Sequence, residues 1–236
     1  MQERKLTGPQ HSFLFRVIAF FSRLQLGYML RSKGYPRFLV MIFVFAAGVI
    51  ALGTITIIAY LTRLPLLFPP LGPSAFILFY TPMSISASPR SVILSHILAL
   101  TAGLSSLWFF TLILSHANLY DPAVINWYRV IVIALSMGLI CLMMIIVKCV
   151  HPPAAASALI AAMGYLQNVE QIIGFIVAVI FLVLEGVFFI KILGGLPYPL
   201  WRADPQVARN YGELAGIPAT GINFWQQLAM RSYQRR

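Results

Sequence analysis

The sequence predicts an all-α membrane protein with four long transmembrane helices and two short proline-led helices. Its 236 residues are 60% hydrophobic and 10% charged, and the mean hydropathy is +0.85. A soluble domain would carry about 25% charged residues. Apolar segments of about 20 residues, the length that crosses a bilayer, recur along the chain. Two further apolar segments are shorter, and each begins beside a pair of prolines.

Each of the four long segments covers about 30 Å or more at a rise of 1.5 Å per residue, so each can cross a bilayer. The short segments, residues 73–80 and 153–163, cannot cross alone as straight helices. The predicted order is therefore long, short, long, long, short, long. The four long segments are residues 38–61, 91–115, 127–147 and 172–193.

The two short segments belong to related motifs. PPLGPSAFI, from Pro69, aligns with PPAAASALI, from Pro152, at a constant offset of 83 residues. The same offset places a long segment before and after each motif, which divides the chain into two long–short–long repeats, residues 38–115 and 121–193. Internal repeats are a common construction principle of membrane transporters. The identical pairs are Pro69/Pro152, Pro70/Pro153, Ser74/Ser157, Ala75/Ala158 and Ile77/Ile160.

The net charge of +11 is concentrated at the two ends of the chain. Residues 1–37 hold seven Lys/Arg and one acidic residue, and residues 191–236 hold six and two. Basic ends that flank an apolar body fit the positive-inside rule for two cytoplasmic termini. Anionic lipid at the cytoplasmic face is therefore the favoured counter-charge, and nucleic acid is not expected as a partner.

The charged connections also favour inverted repeats. If each short segment completes a crossing, the chain has six crossings, and Arg63 is the one basic residue of the connections on the outer side. If the short segments are re-entrant, Arg63, Arg90 and Lys148 all face outward, against the positive-inside rule. The six-crossing, inverted arrangement is therefore preferred. Arg129 and Lys148, near span ends, are expected to extend their charged groups to the interface.

The sequence divides into a basic leader (residues 1–37), a transmembrane domain (residues 38–193) and a cytoplasmic C-terminal tail (residues 194–236). On a helix over residues 11–34, polar and basic side chains share one face opposite apolar ones, which predicts an amphipathic interfacial helix. A disordered basic leader is the alternative. No cleavable signal peptide is expected, and the predicted location is the cell inner membrane or plasma membrane. The polar face comprises Ser12, Arg16, Arg23 and Arg31.

The two proline-led helix starts are the candidate binding site. Proline is favoured in the first turn of a helix, and a helix N-terminus carries about half a positive charge with unpaired N–H donors. In an inverted repeat the two starts can face one another and bind an anion. In the rival interpretation, the prolines only end helices and the small residues allow close packing. The predicted binding residues are Pro69, Pro70, Gly72, Ser74, His151, Pro152, Pro153 and Ser157.

Ionisable residues within apolar segments are functional candidates by default. His151 could hydrogen-bond an anion or relay a proton, or it could cap backbone at a membrane edge. His96 and Glu185 are candidates for coupling proton movement to anion movement. The alternatives are a structural hydrogen bond for His96 and an ion pair with Lys191 or Lys148 for Glu185.

Enzyme and metal signatures are absent from the sequence. No HExxH, GxSxG, CxxC or P-loop motif occurs, and the four histidines show no ligand spacing. Cys141 and Cys149 are too few for a disulfide framework and are expected to be reduced packing residues. We therefore expect no enzymatic activity, no cofactor and no metal.

The motif HPPAAASALIAAM, paired upstream with FPPLGPSAFILFY, resembles the HPP family of integral membrane proteins, which is named for its tripeptide. The resemblance covers residues 37–193, roughly the apolar body. It implies four long transmembrane helices. Family members from plastids and cyanobacteria are described as nitrite transporters, which implies a small inorganic anion, nitrite first, as the substrate.

The sequence therefore predicts a transporter or channel for a small inorganic anion, bound at the N-termini of the two short helices. The alternatives are a non-transporting membrane scaffold or regulator and, less favoured, a membrane-embedded enzyme. A conducting protein should have polar groups that converge near the membrane midplane, whereas a scaffold should have a sealed apolar core. The sequence leaves open channel against carrier, the coupling ion and homo-oligomer formation.

Overall fold

The computed structural model describes residues 13–32 and 36–210, and every regular element in these ranges is a helix. A one-turn 3₁₀ helix precedes α5 and another follows it, and a π-helix, Val187–Leu193, continues α8. The α-helices are α1 (Phe13–Leu24), α2 (Leu26–Ser32), α3 (Pro36–Thr62), α4 (Leu71–Tyr80), α5 (Pro89–Ile113), α6 (Trp127–Val147), α7 (Ala154–Ala162), α8 (Val169–Gly186) and α9 (Pro205–Asn210).

Four helices are long and apolar enough to cross a membrane, which confirms the predicted all-α membrane fold. The short helices α4 and α7 lie between them in the predicted order. In the most apolar parts of α3 and α6 only 22% of the residues are buried, and Phe45, for example, is 73% exposed. Apolar surface of this extent is what contact with lipid requires. The four spans are Arg37–Thr62, Pro89–Ile113, Trp127–Val147 and Val169–Leu193.

Proline pairs begin both short helices. Pro70 and Pro153 immediately precede α4 and α7, with φ of −62° and −56°. Proline fixes φ near these values and needs no hydrogen-bond partner for an N–H group, so it suits the start of a helix. Helix α4 begins at Leu71, two residues before the predicted start, because Pro73 also fits within its first turn.

The helices pack in a reciprocal pattern. In the first half, α3 packs on α4, and in the second half α6 packs on α7. Helix α5, the last of the first half, packs on α6 and α7, while α8, the last of the second half, packs on α3 and α4. Helices α5 and α8 also contact each other. The final long helix of each half therefore holds the short helix of the other half.

Glycines allow the short helices and loops to approach the long helices closely. A Cβ added at Gly103 of α5 would lie 2.5 Å from the Ala158 carbonyl oxygen and 2.6 Å from Cβ of Ala161, both in α7. A Cβ at Gly174 of α8 would lie 2.6 Å from the Pro65 carbonyl oxygen. Small residues therefore do permit close helix packing here, as the rival interpretation of the motifs proposed.

Arg129 is a correction to the sequence prediction, because it is buried rather than extended to the interface. It is 2% exposed, and its guanidinium donates hydrogen bonds to four backbone carbonyls. One of them is the Ala162 carbonyl, which belongs to the last turn of α7 and has no partner within that helix. Five donors in a fixed fork suit this task. The acceptors are Ala162 (2.8 Å), Leu119 (2.7 Å), Asp121 (2.8 Å) and Val124 (3.3 Å).

The described part of the leader forms two short helices rather than one continuous helix. Helices α1 and α2 are separated by Gln25, whose side chain donates to the Ile192 carbonyl, while the Gly27 N–H group donates to the Gly194 carbonyl. The leader is thus attached to the end of the last span. Ser12, the side chains of Arg16 and Arg31, and residues 1–12, 33–35 and 211–236, including most of the predicted tail, lie outside the described residues.

Candidate functional site

Four predicted residues from four segments meet in the interior of the bundle. Ser74 comes from the first turn of α4, Ser157 from the first turn of α7, and His96 from α5, about 10 Å along the axis from the start of that helix. His151 precedes α7 in the HPP turn. Each of the four is at most 1% exposed. We call Ser74, His96, His151 and Ser157 the Ser–His cluster.

The Ser–His cluster forms a continuous chain of hydrogen bonds. Ser74 Oγ lies 2.9 Å from His151 Nε2 and 3.1 Å from His96 Nε2. The other ring nitrogen of His96, Nδ1, lies 2.8 Å from Ser157 Oγ. The other ring nitrogen of His151, Nδ1, lies 2.8 Å from the Ser86 carbonyl oxygen. Both nitrogens of both rings therefore have a partner.

The partners determine the tautomers of the neutral cluster. A carbonyl oxygen only accepts, so Nδ1 of His151 carries a hydrogen and donates to Ser86. Nε2 of a neutral His151 then accepts from the Ser74 hydroxyl, and Ser74 in turn accepts from Nε2–H of His96. Nδ1 of His96 accepts from the Ser157 hydroxyl. One consistent direction of donation therefore satisfies all four side chains with no net charge.

Apolar groups surround the cluster. Phe175 of α8 contacts the His96 ring at a centroid distance of 5.5 Å, and Phe68 packs on Phe175 at 4.9 Å. The two imidazole rings lie 5.2 Å apart in an edge-to-face arrangement. Burial of polar groups in such surroundings is tolerated only when they are hydrogen-bonded, as they are here.

The prediction of unpaired N–H groups at the helix starts is wrong in this structure. Most N–H groups of both first turns donate to carbonyls three residues back, the tighter pattern typical of 3₁₀ turns. The diproline turns curve the chain enough to present those carbonyls. The pairs in α4 are Leu71 to Phe68 and Gly72 to Pro69, and those in α7 are Ala154 to His151, Ala155 to Pro152 and Ala156 to Pro153.

The remaining predicted binding residues shape the turns rather than contribute polar side chains. Pro69, Pro70, Pro152 and Pro153 supply backbone geometry. A Cβ added at Gly72 would meet nothing within 4 Å, so close packing does not require glycine there.

Ser86 belongs to the candidate site, and sequence reasoning missed it. It participates through its backbone carbonyl, for which no sequence signal exists. Its hydroxyl is buried without a hydrogen-bond partner in the described part of the chain. Next to it, the Tyr198 hydroxyl donates to the Ala87 carbonyl at 2.8 Å. Burial raises the pKa of Tyr198 above its ordinary value, so the hydroxyl remains a neutral donor that holds this turn.

Glu185 lies apart from the Ser–His cluster. It is ten residues, about 15 Å of helix, from Phe175, the α8 residue that contacts His96. Its neighbour is Thr54 of α3, and its Oε2 atom is buried without a partner among the described residues. Lys191 and Lys148, its predicted alternative partners, are both exposed.

Metal-ligating groups do not cluster in the described residues, where no three His, Cys, Asp or Glu side chains come together. Cys141 and Cys149 are free thiols.

A buried polar cluster, held between two short helices inside a bundle of four spanning helices, defines a multi-pass α-helical membrane protein with an interior polar site. The family model for HPP, transmembrane region, matches residues 33–199. The chain therefore belongs to the HPP transmembrane family. No curated protein and no solved structure matches it.

Proposed function

We propose that the protein moves a small inorganic anion across the membrane, with nitrite as the first substrate to test because of the family resemblance. The observation that carries the proposal is the Ser–His cluster: four hydrogen-bonding side chains, each at most 1% exposed, converge where two short helices begin. A purely structural apolar core would not need two histidines and two serines at this point.

The cluster has the chemistry to bind an anion without arginine or lysine. Hydroxyl and imidazole N–H groups donate hydrogen bonds, and the N-terminal ends of α4 and α7 add the positive ends of two helix dipoles. A bound anion would accept hydrogen bonds that the side chains of the cluster now donate to one another. Ser74, His96, His151 and Ser157 would contact the substrate, while Pro69, Pro70, Gly72, Pro152 and Pro153 maintain the turns that hold them.

Two long-range contacts support six crossings and inverted repeats. The Gln167 side chain donates to the Tyr120 carbonyl at 2.7 Å, which places the connections before α6 and before α8 at the same end of the bundle. The backbone N–H group of Arg90 donates to the Trp201 carbonyl, which places the start of α5 at the same end of the bundle as the segment that follows the last span. With re-entrant short segments, each of these pairs would lie on opposite sides of the membrane.

The reciprocal packing of α5 and α8 is the second support for two related halves. In such an arrangement, one half can rock against the other and open the central site to each side in turn. Because the cluster is closed to solvent in this structure, transport requires that movement. A carrier therefore fits the geometry better than an open channel.

The orientation follows from the charges. The described part of the leader, residues 194–201, Arg90 and Lys148 lie at one end of the bundle, which the positive-inside rule places in the cytoplasm. The exposed aromatic side chains Phe20 and Phe21 of α1 would then enter the cytoplasmic interface, and anionic lipids would attract its basic residues. The location is the inner or plasma membrane.

A non-transporting scaffold or regulator is the second candidate, because the complete burial of the cluster also fits a sealed core. Enzymatic activity is not part of either proposal.

A flux panel distinguishes the two candidates. Purified protein in liposomes would be tested with nitrite, nitrate, formate and chloride at several pH values. We expect saturable flux of at least one anion, and a loss of most of it in Ser157→Ala. Ser105→Ala is the matched control, since Ser105 is exposed on α5 and bonds only within its own helix. Absence of flux for every anion, with correctly inserted protein, would favour the scaffold.

A further inference from the structure

We infer that the anion crosses together with one proton, which the Ser–His cluster carries, so that transport is electroneutral. The inference rests on the proposed function and specifies its coupling ion. Its main observation is that the single hydroxyl hydrogen of Ser74 has two acceptors at nearly equal distance. His151 Nε2 lies 2.9 Å from Ser74 Oγ and the Pro70 carbonyl oxygen lies 2.8 Å from it.

The first orientation of the Ser74 hydroxyl belongs to the neutral cluster. The hydroxyl donates to His151 Nε2, and both imidazoles are uncharged. In this state, the cluster offers an entering anion no positive charge beyond the two helix dipoles. An anion that leaves water for an apolar interior is strongly disfavoured unless it is paired with an opposite charge.

The second orientation belongs to a cluster that holds one more proton. The proton binds to Nε2 of His151, and the Ser74 hydroxyl turns to donate to the Pro70 carbonyl. Ser74 Oγ then accepts from Nε2–H of both histidines, while Nδ1–H of His151 continues to donate to Ser86. The cluster gains one positive charge, and no atom needs to move farther than a hydroxyl rotation.

The same contacts allow the proton to pass between the histidines. A proton that reaches Nδ1 of His96 makes that ring an imidazolium, and the Ser157 hydroxyl turns to accept from it. Nε2–H of His96 then transfers its proton to Ser74 Oγ, while Ser74 transfers its own to His151 Nε2. The charge thus moves from α5 to the HPP turn, and each atom keeps its normal valence.

No charged side chain in the described residues hydrogen-bonds to the Ser–His cluster, so a proton on the cluster is the nearest source of a counter-charge. The ionisable groups on the surrounding elements are engaged elsewhere or exposed, and none hydrogen-bonds to either imidazole. They are Arg90, which donates to the Val147 and Lys148 carbonyls; Arg129, which donates to four carbonyls; Lys148, which is exposed; Cys149, whose thiol faces the Val147 carbonyl; Tyr198, bonded to Ala87; and Glu185, beside Thr54.

The test measures the equilibrium accumulation of anion in proteoliposomes under two separate driving forces. One is a pH gradient at zero membrane potential, and the other is a potential set by potassium and valinomycin at equal pH. Nitrate is measured beside nitrite, and protein-free vesicles correct for permeation of neutral acid. An internal pH indicator counts the protons that enter.

For electroneutral coupling, we expect about tenfold anion accumulation for each pH unit of gradient, one proton per anion, and no effect of the potential. An uncoupled monovalent anion would instead respond about fiftyfold to 100 mV and would ignore the pH gradient. His151→Gln retains an amide donor toward Ser74 but cannot bind a proton. We expect its residual flux to follow the potential, while Ser105→Ala remains coupled.

The outcomes separate the two proposals. Wild-type flux that follows the potential and moves no protons overturns proton coupling and leaves anion transport intact. Absence of flux for any anion overturns anion transport and the coupling with it. If His151→Gln transports nothing, the wild-type measurement decides the coupling: one proton per anion supports it, and no proton movement overturns it.

Discussion

The hydroxyl oxygen of Ser74 lies 2.9 Å from Nε2 of His151, although 77 residues separate the two in the chain. This contact joins the two short helices across the boundary between the two halves of the sequence. Any movement that separates the halves must break it or carry both residues together. The contact is therefore the point at which fold stability and the proposed transport cycle meet.

Ser74→Ala should lower both the stability of the fold and the rate of anion transport. The substitution removes the bridge between His96 and His151 and leaves a buried ring nitrogen on each without a partner. An unsatisfied buried polar group costs about 1–3 kcal/mol. We expect a lower thermal unfolding temperature in detergent and a loss of most anion flux. Ser105→Ala provides the comparison on the neighbouring helix, and equal unfolding temperatures for the two variants would contradict the bridging role.

Gly103→Ala should disrupt the packing of α7 on α5. Its new Cβ would overlap the Ala158 carbonyl oxygen and the Ala161 side chain. Overpacking of this kind costs about 1–3 kcal/mol. Gly138→Ala on α6 is the matched control, because a Cβ there meets nothing within 4 Å. The thermal unfolding temperature should fall in Gly103→Ala and stay near the wild-type value in Gly138→Ala. A larger fall in Gly138→Ala would contradict the close approach of α7 to α5 at Gly103.

Arg129→Lys should be nearly as harmful as Arg129→Ala. A lysine ammonium cannot reproduce the fork that reaches the carbonyls of Ala162, Leu119 and Asp121. The unpaired carbonyls would destabilise the end of α7 and the adjacent loop by a few times the roughly 1 kcal/mol of a single hydrogen bond. The readout is the unfolding temperature, with the exposed Arg202 changed to Ala as control. A wild-type unfolding temperature in Arg129→Lys would contradict the claim that the guanidinium fork stabilises the end of α7 and the adjacent loop.

Cysteines introduced singly should report the membrane side of each connection. We expect labelling from outside in Asp121→Cys and Glu170→Cys, and protection in Arg90→Cys and Arg202→Cys. The background would carry Cys141→Ala and Cys149→Ala, since both native thiols are free. The measurement is modification of intact cells by a membrane-impermeant maleimide. Re-entrant short helices predict instead that position 121 is protected and position 90 is labelled.

The helix order could be predicted from the sequence because it depends on local properties. Apolar length defines the four spans, and the prolines define where α4 and α7 begin. The repeat offset pairs Ser74 with Ser157, and both side chains hydrogen-bond to His96. These features need no knowledge of which distant residues meet.

The remaining features depend on contacts that the sequence does not encode locally. His96 meets Ser157 across 61 residues, and nothing near His96 distinguishes it from a packing histidine. Arg129 is buried because carbonyls from two separate segments, the loop before α6 and the last turn of α7, converge on it. The N–H groups at the helix starts are occupied because the diproline turns present carbonyls to them, which propensity alone does not reveal.

The most direct test of the account is the initial rate of anion uptake into proteoliposomes by His151→Ala, measured beside Ser105→Ala at matched protein density. Loss of at least nine-tenths of the uptake in His151→Ala, with Ser105→Ala like the wild type, is the result that binding at the Ser–His cluster predicts, since roughly 1.4 kcal/mol of lost interaction corresponds to a tenfold change. Equal uptake by the two variants would show that the anion does not pass through this cluster.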